Sequence, residues 1–160
     1  MLFDLLRRPF EPVIRRVLHF YWRFARGLTL GVRAVVVDGE GRVFLVKHSY
    51  VSGWHLPGGG VEPDETLTTA LTRELREEGN IEPTVTPALF AIYLNRWASP
   101  RDHVALYVVR SFRQSAPPRP GREILAHGFF APDSLPRETT ASTRQRIAEV
   151  LSGRPVVALW

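Results

Sequence analysis

The chain has 160 residues, 44% of them hydrophobic and 23% charged, with no cysteine and a formal net charge of +5. This balance suits one globular domain with a real core and argues against wholesale disorder. The lack of Cys excludes a disulfide framework, a thiol nucleophile, an iron–sulfur cluster and a thiolate zinc site. The charge is unevenly placed: residues 1–26 hold six arginines against Asp4 and Glu11, leaving the other 134 residues close to neutral. The basic excess therefore belongs to a leading segment, and specific nucleic-acid binding is not expected of the body. No apolar run approaches the ~20 residues of a membrane span, and Asp4, the Arg pairs, Pro9 and Pro12 break up any secretory signal. A cytoplasmic protein is the expectation.

In chain order, residues 1–26 read as helical in two pieces interrupted around Pro9–Pro12. In the second, Val13–Arg26, Val13, Val17, Phe20 and Phe24 recur at roughly helical spacing, with Arg15, Arg16, Arg23 and Arg26 among them. Six of the chain's 17 aromatics fall in this segment. Packing on the domain or a homodimer interface is the preferred reading, and contact with an anionic membrane surface the less favoured one. Arg33–Asp38 and Arg42–Lys47 are β-branched runs joined by Gly39-Glu40-Gly41, which predicts a hairpin. A glycine-rich loop, Leu56 to Glu62, leads to a predicted helix over Thr66–Glu78, with Leu67, Leu71 and Leu75 as its apolar stripe and Gly79-Asn80 as its stop. Ala88–Leu94 and His103–Phe112 predict two strands around the polar loop 97–102. Ser115–Gly121 is loop by composition, Phe129-Phe130 begins or ends a short strand, and Ser142–Leu151 is a further helix. The domain organisation expected is a basic amphipathic segment, 1–27, followed by a domain over 28–160 of α/β or α+β class.

The helix after the glycine loop carries the chemistry. Glu74, Glu77 and Glu78 stand at i, i+3 and i+4, so their carboxylates share one face, and they sit in the last turn, where they oppose the helix dipole. A hard divalent cation would remove that cost. A solvated acidic face is the bland alternative, and the surrounding string decides between them. LPGGGVEPDETLTTALTRELREEGNI resembles the signature box of the Nudix hydrolase family, G-x5-E-x7-R-E-U-x-E-E-x-G-U with U a bulky aliphatic. Eight of nine specified positions match over 23 residues, from Gly59 to Ile81. The one departure is Asn80 for Gly, and these are the two residues that most readily take the left-handed conformation at a helix end. Glu123-Ile124, Phe129-Phe130 and Leu135-Pro136 look like the family's closing segment, so the resemblance covers roughly residues 30–152.

The resemblance implies an α/β/α sandwich around a mixed sheet and a Mg²⁺- or Mn²⁺-dependent hydrolase. Such an enzyme cleaves the diphosphate of a small nucleotide, a nucleoside diphosphate linked to a group X. By position Glu74 and Glu78 would be the principal metal ligands, with Glu77 a third ligand or the base for water and a carbonyl near Gly58 or Gly59 completing the site. Arg73 and Glu65 would pair to hold the loop, and Arg73 would orient the carboxylates. Gly58, Gly59 and Gly60 would bring backbone close to the anion or metal. Glu123 would be a further ligand or the general base; the position three residues on, often a second Glu, is Ala126. Arg96, Arg101 and His103 are candidate substrate contacts, as are His48, Tyr50 and His55. Trp97 is read as packed rather than stacked on a base. A nucleotide sensor that no longer cleaves is the alternative function, and isoprenoid isomerisation is disfavoured because relatives with that chemistry use a Cys.

Overall fold

The computed structural model describes residues 11–118 and 123–160. The first helical piece expected within residues 1–10, and the end of the 115–121 loop, lie outside the described residues. The second piece is present as helix α1, Glu11–Ala25. Seven strands follow, interleaved with two more helices: β1 Thr29–Val36, β2 Val43–His48, α2 Leu67–Gly79, β3 Ile81–Pro83, β4 Ala88–Leu94, β5 Asp102–Val109, β6 Phe112–Gln114, β7 Ile124–Phe130 and α3 Ala141–Ser152.

The centre of the fold is a mixed three-stranded sheet in the order β1-β5-β4. β1 runs parallel to β5 in a register from Thr29↔Asp102 to Val36↔Val109, and β4 lies antiparallel on the far side of β5. Alternation along β1 divides the core between the two faces. Val32, Ala34 and Val36 pack with Ala70, Leu71 and Leu75 of α2, while Val35 and Val37 pack with Leu56, Leu106 and Ile147 on the α3 side. A strand apolar on both faces suits a parallel pairing covered by a helix on either side, so the RAVVVD run sits where its composition sends it. The layers are α2, sheet and α3, the α/β/α sandwich of α/β class that the resemblance implies.

Two expectations about pairing are corrected. The turn predicted between β1 and β2 exists: Asp38 N–H donates to the Arg42 carbonyl (3.0 Å), and Arg42 Nε donates to the Asp38 carboxylate (2.8 Å). The strands beyond it do not form a hairpin ladder; they share one bridge, Val37↔Val43, after which β2 pairs antiparallel with β7. The edge of β1 that a hairpin partner would take is occupied by the glycine-rich loop. Val32 N–H donates to the Gly59 carbonyl (2.9 Å), Ala34 N–H to that of Pro57 (3.0 Å) and Val61 N–H to that of Leu30 (2.9 Å). The single strand predicted over 103–112 is also divided, because β6 leaves β5 to pair with β3, an element not read from the sequence.

α1 stands apart from this architecture. Ile14, Val17, Phe20, Tyr21 and Phe24 are all exposed, so packing of these side chains on the domain, one of the two preferred readings of the segment, is not what is found. Trp97, read as packed, is 94% exposed. No helix among the described residues is long and apolar enough to cross a membrane.

Candidate active site

Local sequence builds α2 and aims its last turn. Thr66 caps the N-terminus, its hydroxyl accepting from Thr69 N–H (3.1 Å). At the other end Asn80 takes the left-handed conformation (φ 50°, ψ 36°), its N–H returning to the Arg76 carbonyl (3.0 Å). Its side-chain amide also donates to the Ala116 carbonyl (2.9 Å), a contact Gly could not make. Between the caps, Ala70, Leu71 and Leu75 bury against β1, and Glu78 lies on the same buried side, only 7% exposed.

The three box carboxylates thus occupy different environments. Glu77 is exposed, while Glu74 and Glu78 both lie against the glycine loop. Glu78 Oε2 accepts from Gly58 N–H (2.7 Å), and the Glu74 carboxylate fills the space a Cβ on Gly59 would need. Burial, with Glu74 and Glu77 adding to it, pushes the Glu78 carboxyl up to about 7, against the opposing pull of Arg33 and the Gly58 amide. His48 Nε2 faces Glu78 Oε1 at 3.4 Å, and neither ring nitrogen has a hydrogen-bond partner. Burial holds that imidazole down at about 4, with Arg33 and His55 contributing.

Arg73 ties the loop to the helix as the resemblance implied. Its Nε donates to Glu65 Oε1 (2.9 Å), Nη2 to Glu65 Oε2 (3.0 Å) and to the Gly60 carbonyl (3.1 Å), and Nη1 to Glu74 Oε1 (2.6 Å). Glu65 is held down at about 2, chiefly by the Arg73 hydrogen bonds.

The glycine loop and the box carboxylates border a cavity of about 570 Å³. Gly58, Gly59, Gly60, Glu74, Glu77, Glu78 and Glu123 all line it, as does Tyr50. Arg96, Arg101 and His103 are not among its lining residues. Arg96 is exposed, Arg101 donates to the Phe24 carbonyl at the end of α1 (3.4 Å), and His103 lies in β5 with a buried, unpartnered Nδ1. The rest of the lining includes residues the sequence reading did not select: Arg33, which adjoins Gly58, and Thr29, Asn95, Asp102 and Trp160. An arginine in the apolar β1 run was a usable signal for Arg33. For Trp160 there was none, because it reaches the cavity only through tail pairing, with Trp160 N–H donating to the Leu94 carbonyl (3.1 Å).

The donor set suits a hard divalent cation: carboxylate oxygens of Glu74 and Glu78 against one loop, with the Gly59 backbone beside them. As placed, Glu74 is engaged by Arg73, and no three His, Asp or Glu side chains among the described residues converge tightly enough to hold an ion. The residues fit the metal in chemistry and proximity without being closed into a cage.

The model of the NUDIX domain matches residues 27–151. The chain belongs to the NUDIX domain family. A MutT-like protein of Streptomyces ambofaciens is 31% identical over 125 residues, covering 78% of each chain. An RNA pyrophosphohydrolase of Hydrogenovibrio crunogenus is 40% identical over 60 residues, 38% of this chain and 36% of that protein, so this chain spans little more than a third of it. Among solved structures, the MutT NUDIX hydrolase from Burkholderia pseudomallei superposes with a TM-score of 0.64 at 29% identity, over 76% of this chain and 97% of that one.

Proposed function

We propose that the chain is a divalent-metal-dependent pyrophosphohydrolase that cleaves the diphosphate of a nucleoside diphosphate linked to a group X, releasing a nucleoside monophosphate and phosphorylated X. One observation carries the reading: Glu74 and Glu78 meet the Gly58–Gly59 backbone at one wall of a cavity large enough for a nucleotide. Glu74 and Glu78, with Glu77 and the Gly59 backbone, would hold Mg²⁺ or Mn²⁺. The cation would neutralise diphosphate charge and acidify bound water. Arg73 orients Glu74 and holds the loop through Glu65. Arg33, at the cavity wall, supplies the cation on the protein side for a phosphoryl oxygen. Glu77 or Glu123, both exposed at the cavity, accepts the proton of the attacking water.

The test is a panel of nucleoside diphosphate derivatives and triphosphates with Mg²⁺ or Mn²⁺, scored by monophosphate release. Glu78→Gln keeps an acceptor for the Gly58 amide and should lower turnover by at least about a hundredfold with the fold intact. Unchanged turnover in that variant removes Glu78 from the machinery. Metal-dependent nucleotide binding without cleavage across the panel would instead identify a sensor.

A further inference from the structure

We infer that α1 is a surface anchor for an anionic lipid bilayer, a function separate from the hydrolase site. The inference rests on how the helix sorts its side chains and on what it leaves uncovered. At 3.6 residues per turn, Phe20, Phe24, Val17, Tyr21, Ile14 and Leu18 follow one another around about 160° of the circumference. Arg15 and Arg16 fall on the opposite arc, and the one carboxylate in the helix sequence is Glu11, in its first turn. The polar face is therefore predominantly cationic and the apolar face rich in aromatics, the composition of helices that lie in the headgroup region. The apolar side chains are not spent on the domain: Phe20 is 68% and Phe24 66% exposed.

A second copy of the chain is the competing occupant, and two features disfavour it. A paired helix covers a narrow stripe, whereas this apolar arc is much broader and suits a plane. A second copy would also bring more arginines than the single Glu11 of each helix could answer, whereas anionic headgroups complement them. The helix is 15 residues long, too short to span, so it lies on the surface. Its attachment has a consequence for the enzyme. Three residues separate Ala25 from Thr29, the Thr29 N–H donates to the Arg101 carbonyl (3.1 Å), and Thr29 lines the cavity. The anchor thus holds the Thr29–Asp102 rim of the cavity near the bilayer.

The experiment is co-sedimentation of the full chain with phosphatidylcholine vesicles, with and without phosphatidylglycerol, beside size-exclusion chromatography without lipid. Wild type should pellet only with phosphatidylglycerol present, and release with added salt. Arg15→Gln/Arg16→Gln should weaken binding by about fivefold per arginine. Phe20→Ser/Phe24→Ser should abolish it while keeping the wild-type unfolding midpoint. Three results would each overturn the inference: wild type left in the supernatant, binding indifferent to phosphatidylglycerol, or a lipid-indifferent dimer that Phe20→Ser/Phe24→Ser splits into monomers. The last would make a second copy the occupant.

Discussion

Gly58 has φ +135°, and a Cβ there would run into the Val32 carbonyl oxygen, whereas a Cβ on Gly60 would meet nothing within 4 Å. Gly58→Ala should therefore cost about 2–3 kcal/mol and lower the urea midpoint. Gly60→Ala should stay within about 0.5 kcal/mol of wild type. Equal effects in the two variants would mean the loop does not hold this backbone path. Three adjacent glycines look alike in a sequence, and only the approach of β1 to Gly58 and of the Glu74 carboxylate to Gly59 distinguishes them. The carboxylates behave similarly. Helical spacing put Glu74, Glu77 and Glu78 on one face, but it could not say that Glu78 would be buried and raised while Glu77 stays exposed. That difference comes from β1 and the loop lying over one side of the helix end.

At the scale of the element, α2 was legible nearly to the residue because its signals are local: an i, i+4 leucine stripe and a left-handed stop. Asn80 tests the stop. Asn80→Ala should cost about 1 kcal/mol, since Ala takes the left-handed conformation poorly and loses the amide contact to Ala116. Asn80→Gly should preserve the helix end while releasing the 115–116 loop. Urea unfolding of the two variants, with amide exchange at residues 114–116, separates the contributions. The β1–β2 hairpin was misread for the converse reason. Its turn chemistry is local and correct, but pairing beyond the turn is a competition for the edge of β1, and the glycine loop takes that edge through three backbone hydrogen bonds.

Across the whole molecule, a buried charged group joins α3 to the cavity. Arg146 is fully buried; it donates to Glu149 Oε1 (2.8 Å) and to the Leu159 carbonyl (2.8 Å), and its guanidinium stacks over Tyr93 at 4.2 Å. Tyr93 donates to Glu149 Oε2 (2.7 Å), and burial and Glu149 push its phenol up. This group pins the tail whose last residue, Trp160, walls the cavity. Arg146→Met should lose about 3–5 kcal/mol, because it strands the Glu149 charge in the core. Arg146→Met/Glu149→Leu should recover much of that loss, and a double-mutant cycle in urea measures the coupling. Additive losses would show that the two residues are not a pair in solution.

The sequence by itself determined the family, the α2 helix with its stop and the carboxylates that cluster on it. All of these are written in short-range spacing, where helical geometry places residues without help from the rest of the chain. Tertiary structure decided the burial of Glu78, the partner of each strand, and the recruitment of Arg33, Asn95, Asp102 and Trp160 to one cavity. Those depend on which segments meet across the sheet, and residues as distant as Thr29, Asp102 and Trp160 come to line one cavity only when β1, β5, β4 and the tail are laid in that order.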